Sequence, residues 1–130
     1  MILAIRTDSD TAELYLLQTG KEPQDKEVWE AGRQLSIDIL RRIKDLLDRN
    51  KMDFNDLSGV VMFEGPGSFT GLRIGITVGN TIAYAQNVPA VTSNSKDWIK
   101  NGIEKLKNTK PGSYPTPRYG KAPNITKPKK

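Results

Sequence analysis

The sequence predicts one α/β domain in which three antiparallel strands are followed by alternating helices and strands. Residues 1–31 contain short apolar and β-branched stretches separated by turn residues, which is typical of strands. Residues 33–50 show the apolar spacing of a helix, and residues 57–86 have the pattern of strand, glycine turn and helix. A chain of 130 residues has the length of one domain. We therefore expect a domain at residues 1–108 and a basic, proline-rich tail at residues 109–130.

The first three strands precede any helix. Residues 1–5 and 11–17 are apolar stretches joined by polar turn residues at 6–10, which predicts a hairpin. A third strand is expected near residues 26–31. Pro23 lies in the loop before it and argues against a continuous strand there.

The first helix is predicted over residues 33–50 and ends at Asn50. Its apolar side chains recur three and four residues apart, so they form one buried face. Ile37 and Leu40 make this face wider than a sheet alone would cover, which leaves apolar surface for a partner. The buried face consists of Leu35, Ile39, Ile43, Leu46 and Leu47.

A tight turn joins the strand at residues 57–63 to the next helix. Glycines flank Pro66, and either Gly65 or Gly67 can adopt the positive φ that a sharp turn requires. Ser68 has the side chain and the position of a helix N-cap. The segment therefore predicts strand, turn and helix in immediate succession.

The second helix, over residues 71–86, carries a stripe of glycines. Gly71, Gly75 and Gly79 are four residues apart, and each costs roughly 1 kcal/mol relative to alanine inside a helix. Such a stripe indicates that another backbone or helix comes close. We expect this helix to pack on its own sheet and against a second body, with the chain's own first helix as the alternative occupant of the glycine groove.

The remaining elements are a strand at residues 88–92 and a helix that includes Trp98, Ile99, Ile103 and Leu106. Ser93 or Ser95 is expected to cap that helix. Beyond residue 108 five prolines prevent a continuous helix.

The glycine turn does not match the common nucleotide-binding loops. A P-loop needs G-x-x-x-x-G-K-[ST], and the dinucleotide fingerprint needs G-x-G-x-x-G followed by an acidic residue. The spacing of Gly65, Gly67 and Gly71 fits neither pattern, and the lysine is absent. Generic nucleotide binding at this turn is therefore disfavoured.

Residues 65–76, GPGSFTGLRIGI, resemble the signature of the TsaB family, also called YeaZ. The resemblance extends through Arg33, Gln34, Ser36 and Leu40 and through residues 88–91, and it covers residues 1 to about 98. It implies a ribonuclease-H-like fold of the actin and sugar-kinase (ASKHA) superfamily. Full-length members continue into a second domain of the same superfamily fold, so the resemblance implies a short form without that domain.

TsaB is the non-catalytic partner of TsaD in bacterial threonylcarbamoyladenosine synthesis on tRNA. The resemblance therefore implies a scaffold or activator subunit that binds a TsaD-like subunit, with a TsaE-like ATPase and tRNA reached through the complex and a homodimer in isolation. No cofactor is expected, and a nucleotide at the complex interface would not be turned over by this chain. We predict an interface formed by Leu35, Ile37, Leu40, Phe69, Gly71, Leu72, Arg73, Gly75, Ile76 and Gly79.

Two departures from the superfamily bear on catalysis. Related kinases have a metal-organising aspartate after the first strand, and TsaB-like chains often have Asp-Thr-Ser there, but this chain has Arg6, Thr7 and Asp8. We expect Arg6 to be solvated or ion-paired; Asp8 and Asp10 leave a cation site open, although acidic residues in turns are usually turn formers. Leu35 stands where TsaB-like chains often have a histidine.

Composition excludes several kinds of site. The chain has no cysteine and no histidine, which removes disulfides, thiolate metal ligands and the commonest catalytic base. No stretch approaches the roughly 20 apolar residues of a membrane span, and the N-terminus lacks the features of a signal peptide. We therefore expect a cytoplasmic protein without a metal site.

Charge is divided unevenly along the chain. All 15 acidic residues lie within residues 1–104, which carry a net charge of −3, while residues 105–130 carry +8. We expect the segment near residues 114–125 to lie on the domain or its partner, and Lys127, Lys129 and Lys130 to contact RNA phosphates.

Two alternative functions are an ATP-dependent phosphotransferase and a stand-alone RNA-binding module. The first needs a second domain that closes over the nucleotide and the carboxylate that Arg6 replaces. The second depends on the basic tail, with Tyr114 and Tyr119 as groups that stack on bases. No repeat or recognised RNA-binding motif supports it.

Overall fold

The computed structural model describes residues 1–116, and it confirms the predicted order of strands and helices. Single turns of 3-10 helix lie at Gly32–Gln34 and Phe54–Asp56. The main elements are β1 (Ile2–Arg6), β2 (Thr11–Leu17), β3 (Asp25–Glu30), α1 (Leu35–Arg49), β4 (Gly59–Phe63), α2 (Phe69–Gln86), β5 (Ala90–Ser93) and α3 (Trp98–Leu106).

The five strands form one sheet in the order β3-β2-β1-β4-β5. β1 pairs antiparallel with β2, where Ile2 lies opposite Leu17, and parallel with β4, where Ile2 lies opposite Gly59. β4 and β5 are also parallel. The carboxyl ends of β1, β4 and β5 therefore meet at one end of the sheet, where the β1–β2 turn and the glycine turn lie.

Helices cover both faces of the sheet. Because side chains alternate along a strand, Leu3 and Ile5 of β1 join the core under α1 and α2, whereas Ile2 and Ala4 join the core under α3. Trp98 of α3 anchors the second core, with its ring edge-to-face against those of Tyr15 and Phe63. Of the helices in residues 1–116, none is long and apolar enough to cross a membrane.

The predicted helix ends are partly confirmed. Asn50 ends α1, and its Nδ2 donates to the Leu46 carbonyl at 2.8 Å. The serine cap predicted for α3 is wrong, because Asp97 is the residue before the helix and its side chain makes no capping bond. Ser93 is buried in β5, and Ser95 lies two residues before the N-cap at φ 85°, where its Oγ accepts from the Asp97 N–H at 3.3 Å.

An ion-pair network joins the edge strand β3 to the end of α1. Arg49 donates to Asp25 and to Glu27 at 3.0 Å each, and Asn50 donates to Asp25 at 2.8 Å. Arg42 also pairs with Glu27. Hydrogen bonds from Arg49 and Asn50 lower the pKa of Asp25 to about 2. Burial raises the pKa of Glu27, but its bonds to Arg42 and Arg49 outweigh burial and leave it lowered.

The network predicts an acid-dependent loss of stability. Folding lowers the pKa of Asp25 from 3.8 to about 2. The contribution of the Asp25 carboxylate to the free energy of unfolding is therefore fully present above pH 3.8 and is lost as pH falls toward 2. We expect the urea midpoint of the wild-type chain to fall between pH 5 and about pH 2.5. The midpoint of Asp25→Asn should be lower at pH 5 and should fall less, because an amide does not titrate in this range.

Asp45→Asn is the control, because Asp45 lies on α1 outside this network and is exposed to solvent. It should show the same pH-dependent fall as the wild type. Equal falls for Asp25→Asn and Asp45→Asn would show that the Asp25 pair does not produce the acid sensitivity.

Candidate functional site

The glycine turn is held to the β1–β2 turn by main-chain and side-chain bonds. Gly65 adopts φ 112°, which confirms one of the two predicted positive-φ positions. Ser68 caps α2, since its Oγ accepts from the Gly71 N–H at 3.3 Å. The Ser68 N–H in turn donates to the Asp8 carbonyl at 2.9 Å. The start of α2 is therefore fixed against the residues that follow β1.

Thr7 fills the first part of the glycine groove. Its side chain is buried, and its Oγ1 donates to the Gly71 carbonyl at 2.7 Å. A Cβ at Gly71 would overlap the Thr7 carbonyl oxygen, and one at Gly75 would overlap the Thr7 side chain. These glycines are required because the backbone after β1 passes directly over α2.

Met62 of β4 fills the rest of the groove. A Cβ at Gly79 would lie 2.5 Å from the Met62 Sδ, closer than real Cβ atoms approach. The groove is thus occupied by the end of β1 and by β4. Neither a second body nor α1, the two occupants considered from the sequence, fills it.

This packing corrects the predicted interface. Six of its ten residues are buried inside the chain and offer no surface to a partner, because they pack against the sheet or the β1–β2 turn. Ile37, Leu40 and Phe69 are 68%, 52% and 53% exposed, and Arg73 is exposed beside them on α2. The buried six are Leu35, Gly71, Leu72, Gly75, Ile76 and Gly79.

The exposed apolar residues Ile37, Leu40 and Phe69, which we call the apolar patch, lie on two helices that pack against each other. A groove of about 350 Å³ runs between the helices, with Ser36 of α1 on one side and Thr70, Arg73 and Thr77 of α2 on the other. The Arg73 guanidinium lies 5.9 Å from the centre of the Phe69 ring. Apolar side chains flanking a shallow groove form a surface suited to a helical partner.

Arg6 is ion-paired, as expected from the sequence. Its Nε and Nη2 donate to the two carboxylate oxygens of Asp8 at 2.8 and 3.1 Å, and its guanidinium lies 3.9 Å from the centre of the Phe63 ring. The hydrogen bond to Asp8 raises the pKa of Arg6. Within residues 1–116 there is no group of three or more acidic side chains that could hold a metal ion.

The start of the tail lies along α2. Asn80 Nδ2 donates to the Pro115 carbonyl at 3.0 Å, and the rings of Tyr84 and Tyr114 meet edge-to-face at 6.1 Å. The segment near residue 114 thus contacts the domain. Lys127, Lys129 and Lys130, predicted to contact RNA, lie outside the described residues, as does Tyr119.

Sequence reasoning missed Thr7 and the contacts of Tyr84. The alternation of side chains along β1 indicates that Thr7 faces α2, because residues 3, 5 and 7 share the face that α2 covers. No sequence pattern indicated that Tyr84 would meet Tyr114, since that contact depends on the path of the chain after α3.

Comparisons with known proteins match this chain to TsaD and TsaB proteins. Residues 29–115 match the family model described as TsaD: tRNA N6-adenosine threonylcarbamoyltransferase. Among similar proteins, the tRNA threonylcarbamoyladenosine biosynthesis protein TsaB of Bacillus subtilis (strain 168) is 35% identical over 102 residues, 75% of this chain and 42% of that protein. TsaB of Escherichia coli (strain K12) is 29% identical over 111 residues, 81% of this chain and 47% of that protein.

A solved structure gives the same result. YeaZ from Pseudomonas aeruginosa matches with a TM-score of 0.66 and 27% identity, over 72% of this chain and 43% of that one. The chain therefore spans less than half the length of each of these three relatives.

The close packing of Thr7 on α2 predicts that Gly75→Ala destabilises the fold. Helix propensity would favour alanine by roughly 1 kcal/mol, but overpacking against a buried side chain costs typically 1–3 kcal/mol. We expect a net loss in the free energy of unfolding, measured by urea denaturation. Thr7→Ala in the Gly75→Ala background removes the overlapping atoms and should recover part of that loss.

The control is Thr81→Ala, because Thr81 is exposed on the same helix. Its stability should stay close to that of the wild type. Strict additivity of Thr7→Ala and Gly75→Ala in the double variant would contradict the proposed contact.

Proposed function

The chain belongs to the family of the matching TsaD model, within its TsaB (YeaZ) group, and on that premise we propose that it is a non-catalytic partner subunit in threonylcarbamoyladenosine synthesis on tRNA. It would bind a TsaD-like catalytic subunit and act as its scaffold or activator in the cytoplasm. The observation that carries this proposal is the apolar patch on α1 and α2. Large apolar side chains that are more than half exposed, beside a groove between two helices, are typical of a surface that a partner covers.

The interface we propose is narrower than the one expected from the sequence. It consists of the apolar patch together with Arg73 and the groove beside it. The buried glycines contribute indirectly, because they let α2 pack closely on the sheet and so determine the positions of Phe69 and Arg73. Isolated copies of this chain would pair through the same patch, so a homodimer and the TsaD-like subunit would compete for it.

Other partners of the proposed complex are a TsaE-like ATPase and tRNA. A nucleotide at the interface between subunits would not be turned over by this chain. Lys127, Lys129 and Lys130 stay predicted contacts to the phosphates of the bound tRNA.

From the proposed interface we expect Ile37→Lys to weaken binding to the TsaD-like protein. Ile37 is 68% exposed and lies in the first turn of α1, so the substitution leaves the core unchanged. A lysine there would bring an ammonium group into an apolar interface, where its desolvation is unfavourable. We expect affinity for the TsaD-like protein of the same organism to fall about tenfold or more, measured by calorimetry after co-purification. The rate of tRNA modification by the assembled complex should fall with it.

Val28→Lys is the matched control. Val28 is a half-exposed apolar residue on β3, and Glu13 lies opposite it in the register, so a lysine is well accommodated there. The control should bind like the wild type. Wild-type binding by a folded Ile37→Lys variant would show that the apolar patch is not the interface.

The runner-up function, an ATP-dependent phosphotransferase, is disfavoured by the Arg6–Asp8 pair. Both carboxylate oxygens of Asp8 accept hydrogen bonds from Arg6, the residue that stands where a kinase of the superfamily has its metal-organising aspartate, so this carboxylate is already neutralised. We expect the purified chain to release no phosphate from ATP and Mg²⁺ above a blank without protein. Magnesium-dependent hydrolysis that is abolished by Asp8→Asn and retained in Asp45→Asn would favour the phosphotransferase instead.

A further inference from the structure

Arg73 is a cation without an ion pair beside the apolar patch. It is the one charged residue of α2, it is exposed, and it lines the groove between α1 and α2. No carboxylate within residues 1–116 forms a salt bridge with it, whereas Arg41 and Arg42 of α1 are both paired. The charge at this end of α2 is therefore left uncompensated by the described part of the chain.

The Phe69 ring keeps the Arg73 guanidinium at the patch. The two residues are four apart on α2, and the guanidinium carbon lies 5.9 Å from the centre of the ring, within the range of cation–π attraction. The other residues that line the groove are apolar or carry a hydroxyl group, and none is acidic. The five N–H donors of a guanidinium thus stand at this surface without an anionic acceptor.

A partner that covers the apolar patch would also remove water from this guanidinium. A charge that loses its water without gaining a counter-ion is unfavourable, so a stable complex needs an acceptor at this point. A carboxylate suits a guanidinium best, because its two oxygens accept two parallel N–H bonds. The geometry thus calls for a partner helix with apolar side chains for the patch and one carboxylate that reaches Arg73.

A second copy of this chain has no free carboxylate beside its own patch. α2 contains no acidic residue, and Asp38 and Asp48 of α1 already pair with basic residues of the same helix. The third acidic residue of α1, Asp45, is five residues from Leu40 and eight from Ile37, so it is a helical neighbour of neither. Transfer of Asp38 or Asp48 to Arg73 would only leave another cation without its partner.

We infer that Arg73 selects the partner of the apolar patch, because it pairs with a carboxylate of the TsaD-like subunit that a second copy of this chain does not supply. This inference rests on the proposed function and adds to it the charge that the partner's surface carries. A homodimer through the same patch would leave Arg73 unpaired, so it would be the weaker of the two competing complexes.

The test compares two affinities of the full 130-residue chain. Calorimetry measures binding to the TsaD-like protein of the same organism, and analytical ultracentrifugation measures self-association. Arg73→Gln keeps a long polar side chain and removes the charge. It should weaken binding to the TsaD-like protein roughly 10-fold or more, because the partner's carboxylate loses its counter-ion. Self-association should be no weaker than in the wild type.

Two further variants show whether charge and shape are both required. Arg73→Lys keeps the charge but not the paired N–H donors, so its affinity for the TsaD-like protein should lie between those of the wild type and Arg73→Gln. Lys100→Gln is the matched control, because Lys100 is an exposed cation on α3, on the opposite face of the sheet, and has no ion pair within residues 1–116. It should bind like the wild type. Each variant is first shown to keep the wild-type melting temperature.

Double-mutant cycles identify the partner's carboxylate. Aspartate and glutamate residues of the TsaD-like protein are replaced one at a time by asparagine or glutamine, and each variant is measured against the wild-type chain and against Arg73→Gln. Loss of the paired carboxylate should weaken binding to the wild-type chain but should have little further effect on binding to Arg73→Gln. Raising the salt concentration should weaken the wild-type complex more than the Arg73→Gln complex.

Wild-type affinity of a folded Arg73→Gln variant for the TsaD-like protein would overturn the inference. If Ile37→Lys still weakens that complex, the proposed interface stands without a role for Arg73. Wild-type affinity of both variants would overturn the interface and the inference together. An equal loss of TsaD-like binding and of self-association in Arg73→Gln would also overturn the inference, because Arg73 would then stabilise any occupant of the patch without selecting one.

Discussion

The contact between Thr7 and the glycines of α2 is the constraint on which the rest of the structure depends. The Thr7 side chain lies between the end of β1 and the helix, and its hydroxyl donates to the Gly71 carbonyl. A methyl group at either Gly71 or Gly75 would push α2 away from the sheet. Because α1 packs on α2, such a movement would also displace the apolar patch that both helices carry. The glycines of α2 thus determine the position of the apolar patch.

Two surfaces with different chemistry lie along the outward side of α2. At its N-terminal end, Phe69 and Arg73 adjoin the exposed apolar residues of α1, which suits a helical protein partner. At its C-terminal end, Tyr84 adjoins the first residues of a basic tail. Thr77 borders the groove at each end, so the two surfaces are continuous along one helix.

Most of the fold could be predicted from the sequence, whereas the site could be predicted only in part. The apolar periodicity of α1 and the β-branched residues of β4 indicate burial directly. The predicted ends of both elements therefore lie within two residues of the observed ends. The glycine stripe correctly indicated close packing but not its occupant. Periodicity along one element does not reveal which other element covers it. Buried Leu72 and exposed Phe69 show the same limit, since both are apolar residues in the first turns of one helix.

The bonds of Asp8 have a consequence for how the molecule opens. Its carbonyl accepts from the Ser68 N–H, its carboxylate binds Arg6, and a Cβ at Gly67 would lie 2.5 Å from the Asp8 Cβ. The β1–β2 turn and the start of α2 therefore cannot separate without breaking several contacts at once. Local unfolding would release them together as one cooperative unit, although 60 residues separate Asp8 from Ser68 in the sequence. Any ligand or partner that binds the first turn of α2 would thereby also slow hydrogen exchange at the backbone amides of the N-terminal hairpin.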